Sequence, residues 1–548
     1  MKEEKKTNSE EVNNLLSKTL KNTSSMFILS IITKIVTLLC NVIIVRNITK
    51  NSFGIVKIYF EFAFSLIIFF PSETIRKSAQ KYIPDENKEN EKKKYEIIIQ
   101  LYSIIILIML LFSIILYFSF IYFGGENISL NKTQLLIYIL SALIELLSEP
   151  IIIYMNLYLE NKQIAISIGN FSRVIFNVIF AAIFNLDIWS FTLSRIISSI
   201  FYSSFLIYKG IFIYKINYSK LFFGNFKDIL TKDKIDNIDV TSAREILYTF
   251  IKATGLKMIL NYCEQIILSF VIKQSNEEKG EYSFIIENFS FIIRFLLEPI
   301  EETFYNLINK IKKIEIKDKN KSIESNDKSL TFNILKLFIK LLLIFDTLLI
   351  SYVFLSGKDI IQIIYSKKWA TLSTEKIGKI QSIYIAIISI NGIIESFANA
   401  TNNTNQMNNY NFLMIFNSIF LIIFMNFFSK FDICGLIMAN ALSMIIRING
   451  NLYIIFSGRE QVKEYQKDIC NFKVDIFKFW KDFYLCIPSL ISTILCILFG
   501  YQIKYFLRNK SVFYSVGVCG FIGLINIGLL YIFENKNIRR DLKKMKTD

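Results

Sequence analysis

Runs of about 20 residues rich in Phe, Ile and Leu alternate along the chain with segments rich in Lys, Asn and Glu. A transmembrane helix needs about 20 apolar residues, whereas a transmembrane strand needs only about ten of alternating character. The pattern therefore predicts an all-α polytopic membrane protein. We expect about fourteen transmembrane helices, at residues 26–45, 53–70, 97–123, 134–158, 164–185, 188–213, 246–272, 282–308, 331–356, 380–400, 411–428, 432–456, 484–500 and 511–533.

The polar connections between these helices divide the chain into three parts. The longest, residues 215–244, follows six helices, and six more precede residue 457. We therefore expect an N-terminal six-helix lobe with its cytosolic tail and linker (1–245), a C-terminal six-helix lobe (246–456) and a final part (457–548). The final part contains two further transmembrane helices. It also contains a segment, residues 459–483, in which Lys alternates with Ile, Phe and Trp, which predicts an amphipathic helix on the membrane surface.

Composition excludes several classes of function. The 548 residues are 53% hydrophobic and have a mean hydropathy of +0.42. The chain lacks histidine, and its seven cysteines include no Cys-x-x-Cys pair. We therefore expect no metal, no cofactor and no histidine-based catalysis. The net charge of +17 arises from basic residues between the apolar runs, which favours contact with anionic lipid headgroups and argues against nucleic acid.

Basic residues also predict the orientation in the membrane. They concentrate in the N-terminal tail, in residues 71–95, 209–245, 309–330 and 457–482, and in the C-terminal tail, although the loop at 357–379 departs from this trend. By the positive-inside rule, both termini face the cytosol. The first 25 residues are polar, so no removable signal peptide is expected. Lys544 and Lys546 have the spacing of a dilysine retrieval signal, but a basic tail that obeys the same rule explains them equally well.

One apolar stretch, residues 281–305, contains Glu287, Arg294 and Glu298. Their separations of seven and four residues place them along one stripe of a regular α-helix. An ionisable group near the bilayer centre costs roughly 2.5 to 3.5 kcal/mol on insertion scales, so the stripe should face protein or water. Two interpretations stay open: an ion network that holds helices in register, or part of a substrate pathway.

Charged residues recur within or at the edges of other spans, namely Lys34, Arg46, Glu61, Glu145, Glu149, Arg173, Arg195, Glu264, Glu395 and Arg447. Glu145 and Glu149 lie one helical turn apart, and we expect a cation to answer them. Arginine suits a diphosphate because its planar fork forms two hydrogen bonds with phosphate oxygens. The candidate anion ligands are Arg46, Arg173, Arg195, Arg294 and Arg447. Taken individually, each is better explained as a structural ion pair or a charge that sets topology, but together they predict a polar central cavity.

Several blocks of sequence resemble one family of membrane proteins. FFPSETIRKSAQK (69–81) places Glu73, Arg76 and Lys77 within one helical turn, and it resembles the acidic-then-basic motif after the second helix of the Rft family of lipid-linked-oligosaccharide translocation proteins. Further similar blocks are IVRNITKNSFGIV (44–56), LIELLSEP (143–150), GEYSFIIENFSFIIRFLLEPIEETFY (280–305), INGIIESFANAT (390–401), NYNFLMIFNSIF (409–420) and GLIMANALSMIIRI (435–448). The similarity fades after residue 457. Family members usually have a basic residue where this chain has Ser72, so a charge role is unavailable there.

The resemblance implies the fold of the multidrug, oligosaccharidyl-lipid and polysaccharide exporters, with two helical lobes around a cavity. It also implies the substrate, the oligomannosyl-chitobiosyl diphosphate of dolichol, moved from the cytosolic to the lumenal leaflet of the endoplasmic reticulum for N-glycosylation. The candidate substrate-binding residues are then Arg46, Glu73, Arg76, Lys77, Glu145, Glu149, Arg173, Arg195, Glu264, Glu287, Arg294, Glu298, Glu395 and Arg447.

Three alternatives differ in function class. An accessory or scaffold protein of lipid-linked oligosaccharide assembly would need the same charges for binding alone. A cation-coupled exporter of small molecules would share the fold, with the acidic groups binding protons, but the family-specific blocks argue against it. A polyprenol-dependent glycosyltransferase would need large lumenal loops with acidic catalytic residues, whereas the non-cytosolic loops expected here are short. We therefore expect no catalytic residue and no enzyme.

Overall fold

The computed structural model describes residues 33, 35–83, 88–123, 126–157, 163–214, 234–235, 238–272, 274–318, 327–401, 404–457, 487–506 and 511–547. The chain forms two compact units, Met1–Gly280 and Glu281–Asp548. Within the described ranges, β-structure is confined to one antiparallel pair of two-residue strands, β1 (Lys234–Ile235) and β2 (Ile238–Asp239). The predicted all-α class is therefore confirmed.

The helices of the first unit are α1 (Ile35–Asn47), α2 (Lys50–Tyr82), α3 (Lys88–Phe123), α4 (Glu126–Leu130), α5 (Lys132–Leu146), α6 (Glu149–Leu157), α7 (Gln163–Val178), α8 (Asp187–Tyr208) and α9 (Val240–Ile266). Helix α2 packs against α3, α5 and α9, and α8 packs against α5 and α7. Tyr262 on α9 contacts both Phe62 and Phe69 on α2. These contacts join α9 to the first unit, while the expected lobe boundary at residue 245 stays a prediction.

Helix α10 (Asn276–Ile292) begins in the first unit and continues into the second. The remaining helices are α11 (Glu298–Asp318), α12 (Asp327–Ile364), α13 (Leu372–Thr401), α14 (Thr404–Phe428), α15 (Asp432–Ser457), α16 (Ile487–Phe506) and α17 (Val512–Thr547). Helix α13 packs against α11, α12 and α15, and α17 packs against α12 and α16.

Ten helices in the described part of the chain are long and apolar enough to cross a membrane. They are Lys50–Tyr82, Asn90–Phe123, Lys132–Asn156, Ile164–Ile183, Asp187–Ile213, Ile334–Ile364, Leu372–Thr401, Asp432–Ile455, Pro488–Phe506 and Val512–Asn535. Two shorter apolar helices, Ile35–Asn47 and Phe412–Phe428, accompany them. The polytopic class is confirmed, whereas the total of fourteen stays a prediction. The expected interfacial helix at 459–483, Lys34 and the side chains of Lys544 and Lys546 lie outside the described residues.

Two helix ends differ from the sequence prediction. Helix α2 continues through Pro71 to Tyr82, although the second span was expected to end at residue 70. Proline removes one backbone donor and kinks a helix, but a packed neighbourhood can compensate. Here Ile75, Ala79 and Tyr82 are buried, so packing holds the helix beyond the proline. Helix α14 also begins earlier than expected, at residue 404, whereas the sequence predicted a span that starts at residue 411.

The turn that precedes α2 is capped and anchored. The Thr49 hydroxyl accepts a hydrogen bond from the Ser52 amide, which satisfies a donor left free at a helix start. Asp187 at the start of α8 accepts hydrogen bonds from the Thr49 amide (3.1 Å) and hydroxyl (2.9 Å). One turn later the backbone at Gly54 approaches α10 so closely that a Cβ atom would lie 2.8 Å from the Gly280 nitrogen. Only glycine fits that crossing.

Five π turns interrupt or extend the described helices, at Val56–Phe60, Ile179–Ile183, Lys209–Ile213, Ile267–Val271 and Ile293–Leu297. A π turn contains an extra residue and rotates the side chains that follow it. The turn at Ile293–Leu297 therefore breaks the regular spacing on which the predicted stripe of Glu287, Arg294 and Glu298 depended. Glu287 is half-buried, whereas Arg294 and Glu298 are exposed.

Candidate functional site

The half-buried Arg76 contacts the buried Ser72 and Glu149 in the first unit, and we call this cluster the Glu149 centre. The Arg76 guanidinium donates from Nε to Oε1 of Glu149 and from Nη2 to Oε2 at 2.9 Å. The Ser72 hydroxyl donates to Oε2 at 3.1 Å. Glu149 is only 2% exposed, so it needs these donors to remain charged. Arg76 is the cation that the sequence predicted for Glu149, and its fork is directed at protein.

A second cluster, the Glu61 centre, consists of Lys57, Glu61 and Arg195. Lys57 donates to both carboxylate oxygens of Glu61, at 3.2 and 3.1 Å, and Arg195 lies 3.7 Å from Oε1. The Arg195 guanidinium also stacks over Phe64, 4.1 Å from the ring centroid. Its Nε is buried and has no hydrogen-bond partner among the described residues. Arg173 is close enough to Glu61 to interact electrostatically.

The helix that the sequence predicted through Glu145 and Glu149 is interrupted between them, which corrects the expectation of one continuous span at 134–158. The chain turns at residues 147–148, where the Ser148 amide and hydroxyl both donate to the Glu145 carbonyl, so α5 ends before α6 begins. The Glu145 carboxylate accepts from the Ser199 hydroxyl at 2.7 Å and interacts electrostatically with Arg195 and Arg173. The two glutamates therefore have different partners.

Glu73, on α2, holds a more exposed pair of cations. Its Oε1 lies 3.0 Å from Lys77 Nζ and 2.9 Å from Lys257 Nζ on α9. The two lysine side chains are 40% and 47% exposed, so solvent screens these contacts. The predicted cluster of Glu73, Arg76 and Lys77 is thus divided, because Arg76 turns toward Glu149.

In the second unit, Asn391, Glu395, Tyr410 and Arg447 form the Glu395 centre. Arg447 Nη2 lies 2.6 Å from each carboxylate oxygen of Glu395 and 3.1 Å from the Tyr410 hydroxyl, which itself donates to Oε1. Asn391 donates to Oε2 at 3.2 Å. Two buried atoms have no hydrogen-bond partner in the described part of the chain: Arg447 Nε and Asn391 Oδ1. The centre can therefore still donate one hydrogen bond and accept another.

Glu301 of α11 reaches the same region of the second unit. Its carboxylate occupies the space where Gly392 has no side chain, since a Cβ there would overlap Oε1. It also interacts electrostatically with Glu395 and Arg447. Glycine at 392 thus lets α11 and α13 approach with a carboxylate between them.

The remaining candidates stand apart from these three centres. Arg46 is exposed in the last turn of α1, and Glu264 is half-buried on α9. Arg294 and Glu298 lie at the π turn already described. The sequence prediction omitted Lys57, Ser199, Lys257, Glu301, Asn391 and Tyr410 as site residues. Tyr410 and Glu301 lie inside the quoted blocks, so that location was the available signal for them.

Two of the three centres, the Glu149 and Glu395 centres, join blocks that are distant in sequence. Block 69–81 meets block 143–150 at the Glu149 centre, and blocks 390–401, 409–420 and 435–448 meet at the Glu395 centre. The quoted motifs therefore contact one another in space, as expected for residues that maintain shared polar sites between helices.

Comparison with known proteins gives the same family as those blocks. The family model described as Rft protein matches residues 18–544. The Man(5)GlcNAc(2)-PP-dolichol translocation protein RFT1 of Candida albicans is 23% identical over 562 aligned positions, which cover 96% of this chain and 95% of that protein. The protein of the same name from Dictyostelium discoideum is 27% identical and covers 76% of this chain and 82% of its own length.

Two solved structures have a similar fold. The lipid II flippase MurJ in an inward closed conformation superposes with a TM-score of 0.64 at 18% identity, covering 94% of this chain and 99% of its own. A multidrug resistance MATE family transporter of the MOP superfamily, in an inward-facing conformation, superposes with a TM-score of 0.51 at 13% identity, covering 80% of this chain and 96% of its own. At these identities the likeness concerns the fold, and it confirms the exporter fold that the sequence blocks implied.

Proposed function

The chain belongs to the Rft protein family, and from that premise we propose that it moves a dolichyl-diphosphate-linked oligosaccharide across the endoplasmic reticulum membrane, from the cytosolic to the lumenal leaflet, for N-glycosylation. The observation that carries this proposal is the pair of partly satisfied arginines, Arg195 and Arg447. Arg195 lies beside the carboxylate of Glu61 and Arg447 is paired with the carboxylate of Glu395, and each arginine has a buried Nε without a partner among the described residues.

This arrangement suits a diphosphate-sugar headgroup. Arginine stays charged when desolvated, and an unfilled N–H can bind phosphate or a sugar hydroxyl. The Glu61 and Glu149 centres are separated by about 22 Å along α2, since Glu61 and Arg76 are fifteen residues apart at about 1.5 Å each. Charged groups thus recur over much of the ~30 Å thickness of the hydrocarbon core. A headgroup crossing that distance would exchange one polar contact for another.

Reconstitution tests the proposal. Purified protein in vesicles should change the leaflet of a labelled lipid-linked oligosaccharide faster than protein-free vesicles. The double variant Arg447→Gln/Glu395→Gln retains hydrogen-bonding groups without charge, and we expect it to abolish movement. The matched control is Lys504→Gln/Asp359→Asn, which neutralises another ion pair of the second unit, 2.8 Å apart and outside the quoted blocks. Equal activity in both doubles would contradict a substrate role for Arg447.

A non-transporting accessory protein is the second candidate. The observation that favours it is Arg76, whose Nε and Nη2 are both directed at Glu149, so this fork serves packing. Under this alternative, detergent-solubilised protein would bind the lipid-linked oligosaccharide, but vesicles would show no change of leaflet. A small-molecule exporter would instead accumulate cationic dyes in the same vesicles.

We further propose a location in the endoplasmic reticulum membrane with both termini in the cytosol. The distribution of basic residues supports this orientation. Single cysteines introduced at Gly125 and Asn276 should be labelled from the lumenal side, and a cysteine at Glu10 from the cytosolic side. Labelling of all three positions from the same side would refute the topology.

A further inference from the structure

Asp346 is a buried acid that none of the three centres uses. It lies near the middle of the candidate span Ile334–Ile364 in α12, and it is 1% exposed. Its Oδ2 lies 2.5 Å from the hydroxyl of Ser389 on α13. Its Oδ1 is buried and has no hydrogen-bond partner in the described part of the chain. If Asp346 were ionised, the Ser389 hydroxyl alone would compensate its buried charge.

The hydrogen bonds around Ser389 fit a protonated Asp346. The Ser389 oxygen lies 2.5 Å from Asp346 Oδ2 and 2.9 Å from the carbonyl oxygen of Ala386. A hydroxyl has one proton and cannot donate fully to two acceptors. If Asp346 carries a proton on Oδ2, it donates to Ser389, and Ser389 donates to Ala386. Every proton then has one acceptor, and the buried charge that only Ser389 would otherwise compensate is removed.

The charged groups on neighbouring helices are occupied elsewhere. On α13, Glu375 pairs with Lys379 at 2.7 Å and lies 3.6 Å from Lys358, and Glu395 pairs with Arg447. On α16, Lys504 pairs with Asp359 of α12, and on α17, Glu534 accepts from Ser489. On α11, Glu301 packs at Gly392.

No cation compensates Asp346 within the described ranges. Lys340 on its own helix is six residues away, which places it about 120° around the helix. Burial and the Ser389 hydrogen bond dominate the electrostatic environment of Asp346. A metal ion would need about six oxygen ligands, but Oδ1 has no hydrogen-bond partner among the described residues. A proton is the ligand that this site fits.

We infer that Asp346 is a proton-binding site, loaded while α12 and α13 are packed together, and that its proton leaves to water when their contact opens during translocation. The second half of this inference rests on the proposed function. Loading neutralises the acid and favours the packed arrangement. Release of the proton leaves a charged carboxylate, which favours an arrangement of the two helices in which water reaches Asp346. Such a site would couple a proton gradient to helix movement.

Infrared spectroscopy of the purified full-length protein tests the first half without a substrate. At neutral pH we expect the carbonyl band of a protonated carboxylic acid, lost in Asp346→Asn and shifted in Ser389→Ala. The control Asp359→Asn, on the same helix, should retain the band, because Asp359 is ion-paired with Lys504. Asp346→Asn mimics the neutral acid, so its unfolding temperature should match the wild type, while Asp359→Asn should unfold at a lower temperature. An unchanged band in Asp346→Asn would overturn the inference.

Transport in vesicles tests the second half. An imposed proton gradient should change the wild-type rate of leaflet exchange at least severalfold and leave the rate of Asp346→Asn unaffected. A wild-type rate that ignores the gradient would overturn the coupling while leaving translocation intact. Wild-type protein that moves no lipid at all would contradict the proposed function, and the infrared band would still decide whether Asp346 holds a proton.

Discussion

Removal of Arg76 should destabilise the protein much more than removal of its neighbour Lys77. The Arg76→Ala variant leaves Glu149 as a carboxylate that is 2% exposed, with only the Ser72 hydroxyl to compensate it. Loss of one partner of a buried pair costs roughly 3 to 5 kcal/mol. Arg76 itself is 32% exposed, so water can partly replace it, and we expect a loss of about 3 kcal/mol in the free energy of unfolding.

Lys77→Ala is the matched control. Its partner Glu73 retains Lys257, and the side chains are well exposed, so the loss should stay below about 1 kcal/mol. Unfolding of the purified variants in mixed micelles measures both losses. Arg76→Ala/Glu149→Gln should recover to within about 1 kcal/mol of wild type, because the stranded charge is gone. Arg76→Ala that unfolds like Lys77→Ala would refute the assignment of Arg76 to the buried pair.

Three further predictions concern other parts of the chain. Gly392→Ala should lower the free energy of unfolding by about 1 to 3 kcal/mol, because its Cβ would overlap the Glu301 carboxylate. In the same unfolding assay, the control Gly520→Ala should be neutral or stabilising, because nothing lies within 4 Å of the added Cβ. Lys279 is 3% exposed, and burial lowers its pKa from 10.5 to about 8. Between those pH values the unfolded chain binds more protons than the folded one, so the free energy of unfolding should rise with pH from about 8 to about 10.5. If the free energy of unfolding of Lys279→Met depended on pH as steeply as that of the wild type, this prediction would be contradicted. Arg294→Gln should change the free energy of unfolding by less than about 1 kcal/mol, because Arg294 is exposed, yet it should abolish movement of the oligosaccharide lipid. A large loss of stability with movement retained would show that Arg294 has a structural role.

The sequence predicted the helical class well because hydrophobic length is a local property. It predicted that a cation answers Glu149, but the choice of Arg76 depends on how α2 packs against α6, and the two residues are 73 positions apart. The pairing of Arg447 with Glu395, 52 positions apart, was missed for the same reason.

Backbone irregularities account for the other errors. A π turn shifts a hydrogen bond by one residue, and no distinctive side chain marks it in the sequence. The predicted stripe through Arg294 therefore assumed regular α-helical spacing where the helix contains a π turn. Pro71 suggested a helix end, but burial of the following turns outweighs its cost. Asp346 was not predicted as a site residue, because the sequence does not show whether a cation lies beside a single acid within an apolar run.

The separation between Arg76 and Glu149 has a consequence for biosynthesis. The two residues are 73 positions apart, and a ribosome adds about 5 to 20 residues per second. Helix α2 is therefore made about 4 to 15 s before its carboxylate partner exists. Arg195 follows Glu61 after a still longer interval. During these intervals the nascent helices carry charges that lipid would reject, so α2 must stay beside the insertion channel, in contact with water or protein, until α6 and α8 are synthesised.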